Sequence, residues 1–181
     1  MSFISENQIY VDFKSFVETA LNEFDIENWE VKQLYQTIKT EDLKPCVYIT
    51  IIDNSNYGAE KRKNTKNNSK YYKNYSRYQI VKIRFQATRR KQIKDDTDTL
   101  NGIDVLKRIN GYLQSLNGIK LLDKNGYSQF KGSGVQNQSF SNDDENIQLM
   151  PYFDCEFVYT DEFNLKLNII NKVIEKEQKG L

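Results

Sequence analysis

Tyr78-Gln-Ile-Val-Lys-Ile-Arg-Phe-Gln-Ala87 decides the fold. Val81, Ile83, Phe85 and Ala87 fall on one side of an extended chain, and Tyr78, Ile80, Lys82, Arg84 and Gln86 on the other. Successive side chains of a strand point to opposite faces, so this alternation predicts one buried face and one largely polar, basic face. A sheet with one wet face is characteristically antiparallel, and its dry face needs a covering layer.

Two helices supply that layer. Phe13, Phe16, Val17, Ala20, Leu21 and Phe24 recur at spacings of three and four, predicting an amphipathic helix over 11–24. Leu100, Ile103, Leu106, Ile109, Leu113 and Leu116 predict a second, with Asp95, Asp96, Thr97 and Asp98 at its start and Asn117-Gly118 at its stop. Strands are expected over 29–36, 46–52 and 147–159, with Asp53 to Gly58 closing the second of these. Residues 119–130 read as a strand broken at Asn125-Gly126, 131–146 as a polar connection, and Leu165, Leu167 and Ile169 as one more alternation. Pro151 places the start of the 147–159 strand at an edge. The fold class is therefore α+β: an antiparallel sheet with two main helices on one face, in a single domain over 1–181 with a charged tail over 172–181.

Charge is distributed unevenly. Residues 60–91 carry twelve Lys or Arg against Glu60 alone, a surplus of +11, while the rest of the chain carries −10. The net charge of +1 conceals this polarity. Within the stretch, 59–76 lacks apolar periodicity and predicts a long loop or an extended hairpin tip inserted between two strands. Its cations interleave with tyrosines. The candidate contact residues are Lys61, Arg62, Lys63, Lys66, Lys70, Tyr71, Tyr72, Lys73, Tyr75 and Arg77, with Arg89 and Arg90 beyond the strand. Three readings fit them: a solvated loop, an arm meeting the acidic surface of a neighbour, or a nucleic-acid contact by phosphate attraction and base stacking. The acidic remainder of the chain disfavours the third.

Composition narrows the chemistry. With no histidine, Ser-His and Cys-His nucleophiles and most zinc and non-haem iron sites are absent. The acidic groups Asp95/Asp96/Asp98 and Asp143/Asp144/Glu145 lack the spacing of a calcium loop. Gly132-Ser-Gly134 is too short to cradle a phosphate. Cys46 and Cys155 both fall in strand patterns and read as reduced, buried thiols, with a disulfide as the alternative. Sequons at Asn67 and Asn74 are discounted because the N-terminus has no secretory pattern, and no run reaches the roughly 20 apolar residues of a membrane span. No cofactor, metal, catalytic residue or membrane contact is expected. With 22 Tyr and Phe but few aliphatics, the chain is expected to complete its core by oligomerising.

The order of these patterns resembles tailed-phage tail-terminator and neck (head–tail joining) proteins. The resemblance rests on the N-terminal helix, Trp29-Glu-Val31, Pro45-Cys-Val-Tyr-Ile-Thr-Ile-Ile52 with Tyr57-Gly58, the Tyr78–Phe85 strand feeding the second helix, and Pro151-Tyr-Phe-Asp-Cys-Glu-Phe-Val-Tyr159. It covers roughly residues 10–165, and segment 59–76 departs from it. It implies a non-enzymatic virion protein, assembled in the host cytoplasm. Such a protein forms a homo-oligomeric, hexameric ring at the head-proximal end of the tail. The ring ends tube polymerisation, contacts the tail tube protein and the head connector or completion proteins, and lets DNA pass through its lumen without sequence-specific binding. Another head–tail completion or tube protein is the near alternative, and a small nucleic-acid-binding protein using 60–91 the distant one.

Overall fold

The computed structural model describes residues 4–33, 45–67, 70–88, 101–141 and 147–166. In chain order these form α1 (Glu6–Glu23), β1 (Glu30–Gln33), β2 (Cys46–Asn67), β3 (Lys70–Thr88), α2 (Gly102–Gln114), α3 (Leu116–Lys124), β4 (Tyr127–Gly132), β5 (Gln136–Ser141) and β6 (Ile147–Lys166). The class is α+β. The sheet order is β1-β2-β3-β6-β4, with β5 also paired to β6. All pairs are antiparallel except β1 with β2, so the sheet is mixed rather than wholly antiparallel.

The decisive alternation is realised at the centre of that sheet. Val81, Ile83, Phe85 and Ala87 are buried, and so are Phe153, Cys155, Phe157 and Tyr159 on β6 and Val47 and Ile49 on β2. The helices cover this face with Phe13, Phe16, Val105, Leu106, Ile109 and Leu113. Phe13 stands at its centre, with ring centroids 4.5 Å from Phe157, 5.0 Å from Tyr127 and 6.3 Å from Phe85. Tyr127 fits this apolar setting because its hydroxyl donates to Asp12 Oδ2 at 2.9 Å. The opposite face is charged. Arg84 forks onto Asp154 through Nε (2.8 Å) and Nη2 (3.0 Å), and its guanidinium lies 4.2 Å from the Tyr152 ring centre.

Local chemistry explains where several boundaries differ from expectation. Helix α1 begins at Glu6, five residues before the expected start at 11, because Ser5 caps it by accepting from the Gln8 amide at 3.1 Å. Helix α2 starts after Asn101, whose side chain accepts from the Asp104 amide; the acids at 95–98 lie outside the described residues. Its end is set by Ser115 and not by Asn117-Gly118. The Ser115 hydroxyl donates to the Tyr112 carbonyl (2.8 Å) and accepts from the Gly118 amide (3.1 Å), ending α2 and capping α3 with one side chain. The first half of the expected strand over 119–130 is therefore helix, and only its part after Asn125-Gly126 is β4. Gly126 there has φ 81, a left-handed conformation that glycine adopts freely. The polar connection 131–146 contains β5, while 142–146 lie outside the described residues. Pro151 sits where expected in one respect: β3 pairing stops at Tyr152, so from Pro151 back β6 has only β5 beside it among the described residues. Tyr35, Leu167, Ile169 and 172–181 lie outside the described residues.

Burial of Cys155 among these rings pushes its thiol up to about 12, with the nearby Asp154 charge adding to the effect. Both cysteines are buried and neither is in a disulfide, so the reduced-thiol reading holds and the disulfide does not. An unfolded thiol ionises near pH 9 while the folded one stays protonated, so this group's contribution to stability is intact below pH 9 and is lost as pH rises towards 12. At pH 8 a thiol reagent is expected to leave Cys155 unlabelled until denaturant unfolds the chain; fast labelling of the native protein would refute this.

Candidate functional site

The turn expected over 53–58 is not a turn. Strand β2 continues through it to Asn67, and β3 starts at Lys70, so the basic segment is the outer half of one long hairpin. Asp53, Asn54, Ser55 and Asn56 are poor strand formers, but pairing with Lys82 to Gln79 on β3 overrides their propensity. Register shifts between Ile51 and Asp53 and between Tyr57 and Lys61 absorb the mismatch, and Gly58 supplies φ 76 within the second. Strand β6 accompanies the hairpin as far as Lys166, opposite Tyr72, giving the arm a third strand.

Among the described residues the helices cover the sheet only as far as Tyr159 and Val81, and beyond them the same face turns polar. Asp161 is 2% exposed and pairs with Arg77 Nη2 at 3.3 Å. The buried Gln79 amide oxygen accepts from Arg77 Nε (2.7 Å) and Nη2 (3.1 Å) when its nitrogen donates to the Ser55 carbonyl (2.9 Å). The Tyr159 hydroxyl donates to Asn54 Oδ1 at 3.1 Å. This group seals the end of the core where the arm departs. One oxygen, Asp161 Oδ1, is buried with no hydrogen-bond partner among the described residues. Arg77→Ala therefore leaves a buried carboxylate uncompensated. Because the Arg77 side chain is itself 30% exposed, the expected cost is below that of a fully buried pair, about 2 kcal/mol. Asp161→Asn, which keeps the shape and leaves Arg77 able to reach water, is expected to cost less. Urea denaturation checks the order, and a reversed order would refute it.

Cations along the arm rest on tyrosine rings: Lys61 over Tyr78 (5.5 Å), Arg62 over Tyr75 (5.8 Å) and Lys73 over Tyr75 (5.4 Å). Arg62 also meets Glu60 at 2.8 Å. Lys61, Arg62 and Lys63 are exposed. Thus the structure brings Lys61, Arg62, Lys63, Lys73, Tyr75 and Arg77 onto one three-stranded extension. Lys66 and Tyr71 pair across the hairpin, as do Thr65 with Tyr72 and Asn67 with Lys70. Arg89 and Arg90 lie outside the described residues. Arg77 differs in kind from the others, since it holds the base of the arm.

One surface escaped the sequence reading. At the C-terminal end of α1 a shallow cleft is lined by Glu18, Asn22, Asp25, Glu27 and Trp29. Asp25 (φ 51) and Asn28 (φ 65) take left-handed conformations to turn the chain there. The available signal was charge: residues 5–28 hold six Asp or Glu against Lys14 alone. Among the described residues no group of His, Cys, Asp and Glu is placed to hold a metal ion, and no helix is long and apolar enough to cross a membrane.

A sheet that runs out past its own core as a charged, tyrosine-bearing extension defines a protein whose distinctive chemistry lies at contact surfaces. The profile of the family described as E217 gateway protein gp29 matches residues 9–169, and the chain belongs to that family. This is a family of structural phage proteins of the neck or connector type, with a head–tail joining role. No curated protein matches the chain.

Proposed function

We propose that the chain forms a hexameric ring at the head-proximal end of the phage tail. There it ends tube polymerisation, docks the tail onto the head connector and leaves a lumen through which DNA passes. The observation behind this reading is the family match over 9–169, which supports its head–tail joining part. The charge polarity supports it, because a ring needs head-to-tail contacts between unlike faces of identical subunits. The long hairpin supports it too, since an arm that no other described element covers is suited to reach a neighbour. Negative-stain microscopy of the purified chain, alone and mixed with tail tubes, is the test. Closed rings, and tubes capped at one end, are the expected result. A chain that stays single at high concentration in both preparations would refute it.

The nucleic-acid alternative is weaker on this geometry. Lys61, Arg62 and Lys73 already lie on the tyrosine faces that bases would need for stacking.

A further inference from the structure

The basic arm and the acidic cleft lie at opposite ends of one strand. The cleft residues Asp25 to Trp29 lead straight into β1, whose first residue, Glu30, pairs with Cys46 at the start of β2. The hairpin's cations begin at Lys61 and continue to the far end of β2 at Asn67. A strand rises about 3.3 Å per residue, so the start of β2 and the tip of the hairpin stand roughly 60 Å or more apart. The carboxylates of the cleft and the cations of the outer hairpin therefore do not reach each other within one subunit.

We infer that the acidic cleft at the end of α1 is the dock for the basic arm of a second copy of this chain. The charges are complementary and the two surfaces differ, so the contact is head-to-tail and repeats from copy to copy. Glu18, Asp25 and Glu27 supply the carboxylates for Lys61 and Lys63, which share one face of β2. Trp29, half-buried and lining the cleft, offers an aromatic partner to a cation, the kind of partnership that Lys61 now makes with Tyr78. The Lys14–Glu18 pair at 3.8 Å is exposed and weak, and gives way readily to a better partner. This deepens the ring reading and rests on it: the arm-to-cleft contact is what holds adjacent ring subunits together.

The test is a charge swap read by sedimentation velocity over a concentration and salt series. Lys61→Glu with Lys63→Glu reverses the arm; Glu18→Lys with Glu27→Lys reverses the cleft. All four positions are exposed, and far-UV circular dichroism verifies folding. Each double variant is expected to weaken self-association at least about tenfold, which is about 1.4 kcal/mol. The fourfold variant is expected to recover to within about threefold of the wild type, because the reversed arm again faces a cleft of opposite sign. Unchanged self-association in either double variant, or no recovery in the fourfold one, overturns the pairing while leaving the ring reading in place. So does an arm variant that keeps its oligomer and loses only a salt-dependent shift of DNA, or only attachment to tail tubes. A wild-type chain that never self-associates defeats both readings together.

Discussion

Phe13→Ala is expected to lower the unfolding free energy by about 4 kcal/mol. The ring is 1% exposed and touches both layers of the molecule: Phe85 and Phe157 on the sheet, and Tyr127 where β4 leaves α3. Removing it takes away the transfer energy of a benzyl group and leaves a cavity whose walls are strands paired on both sides, which relax little. It also weakens the setting of Tyr127, whose hydroxyl reaches Asp12 on the same helix. For a chain of this size the loss corresponds to a fall in Tm of roughly 12 °C. Val11→Ala is the control, since Val11 is 48% exposed on the opposite side of α1. It is expected to change stability by less than about 0.5 kcal/mol. Guanidinium denaturation of the two variants checks both numbers, and equal effects would show that the helix does not bury the face assigned to it.

Gly118→Ala is expected to cost about 3 kcal/mol, although alanine ordinarily favours a helix over glycine. A Cβ at this position would lie 1.9 Å from the Tyr112 carbonyl oxygen and 2.8 Å from its carbon. Both atoms belong to backbone, so nothing flexible can move aside. The close approach comes from the Ser115 link, which turns α3 sharply off α2 and brings the first turn of one against the last turn of the other. Gly111 provides the contrast. It lies exposed on α2 with nothing within 4 Å of a built Cβ, and Gly111→Ala is expected to stabilise by up to about 1 kcal/mol. Thermal melts of the two variants should move in opposite directions. A Gly118→Ala protein as stable as the Gly111→Ala protein would mean that the helix junction is looser than described.

These two positions show what the sequence carries and what it hides. Phe13 and the Val81–Ala87 strand announce themselves because periodicity is a property of neighbours along the chain. Gly118 does not. Its residue type signals a stop, and only the position of the Tyr112 carbonyl, fixed by Ser115, reveals that glycine is there for close approach. The same division holds for the arm. Its charge and tyrosines stand out in the sequence, and the hairpin-tip alternative for 59–76 matches the structure. The persistence of β2 through Asp53 to Gly58 was hidden because strand pairing with β3 overrides local turn chemistry there. The parallel pairing of β1 with β2 is likewise a matter of tertiary placement, as four residues carry too little pattern to state a direction. The acidic cleft was legible only as composition, and the turn at Asp25 and Asn28 was needed to gather it into a concave surface.

The continuity of β3 and β6 has a mechanical consequence. Fifteen registered pairs, from Tyr72 with Lys166 to Gln86 with Tyr152, join the two strands without interruption from the tip of the hairpin to the middle of the globule. Traction applied along the strands to the projecting end is shared across that whole ladder at once, in shear, and is not focused on the outermost bond as in peeling. A joint between two large bodies benefits from such a tie-rod: force entering at one end is delivered to the packed interior, where Phe85 and Phe153 stack at 4.8 Å, with no hinge between.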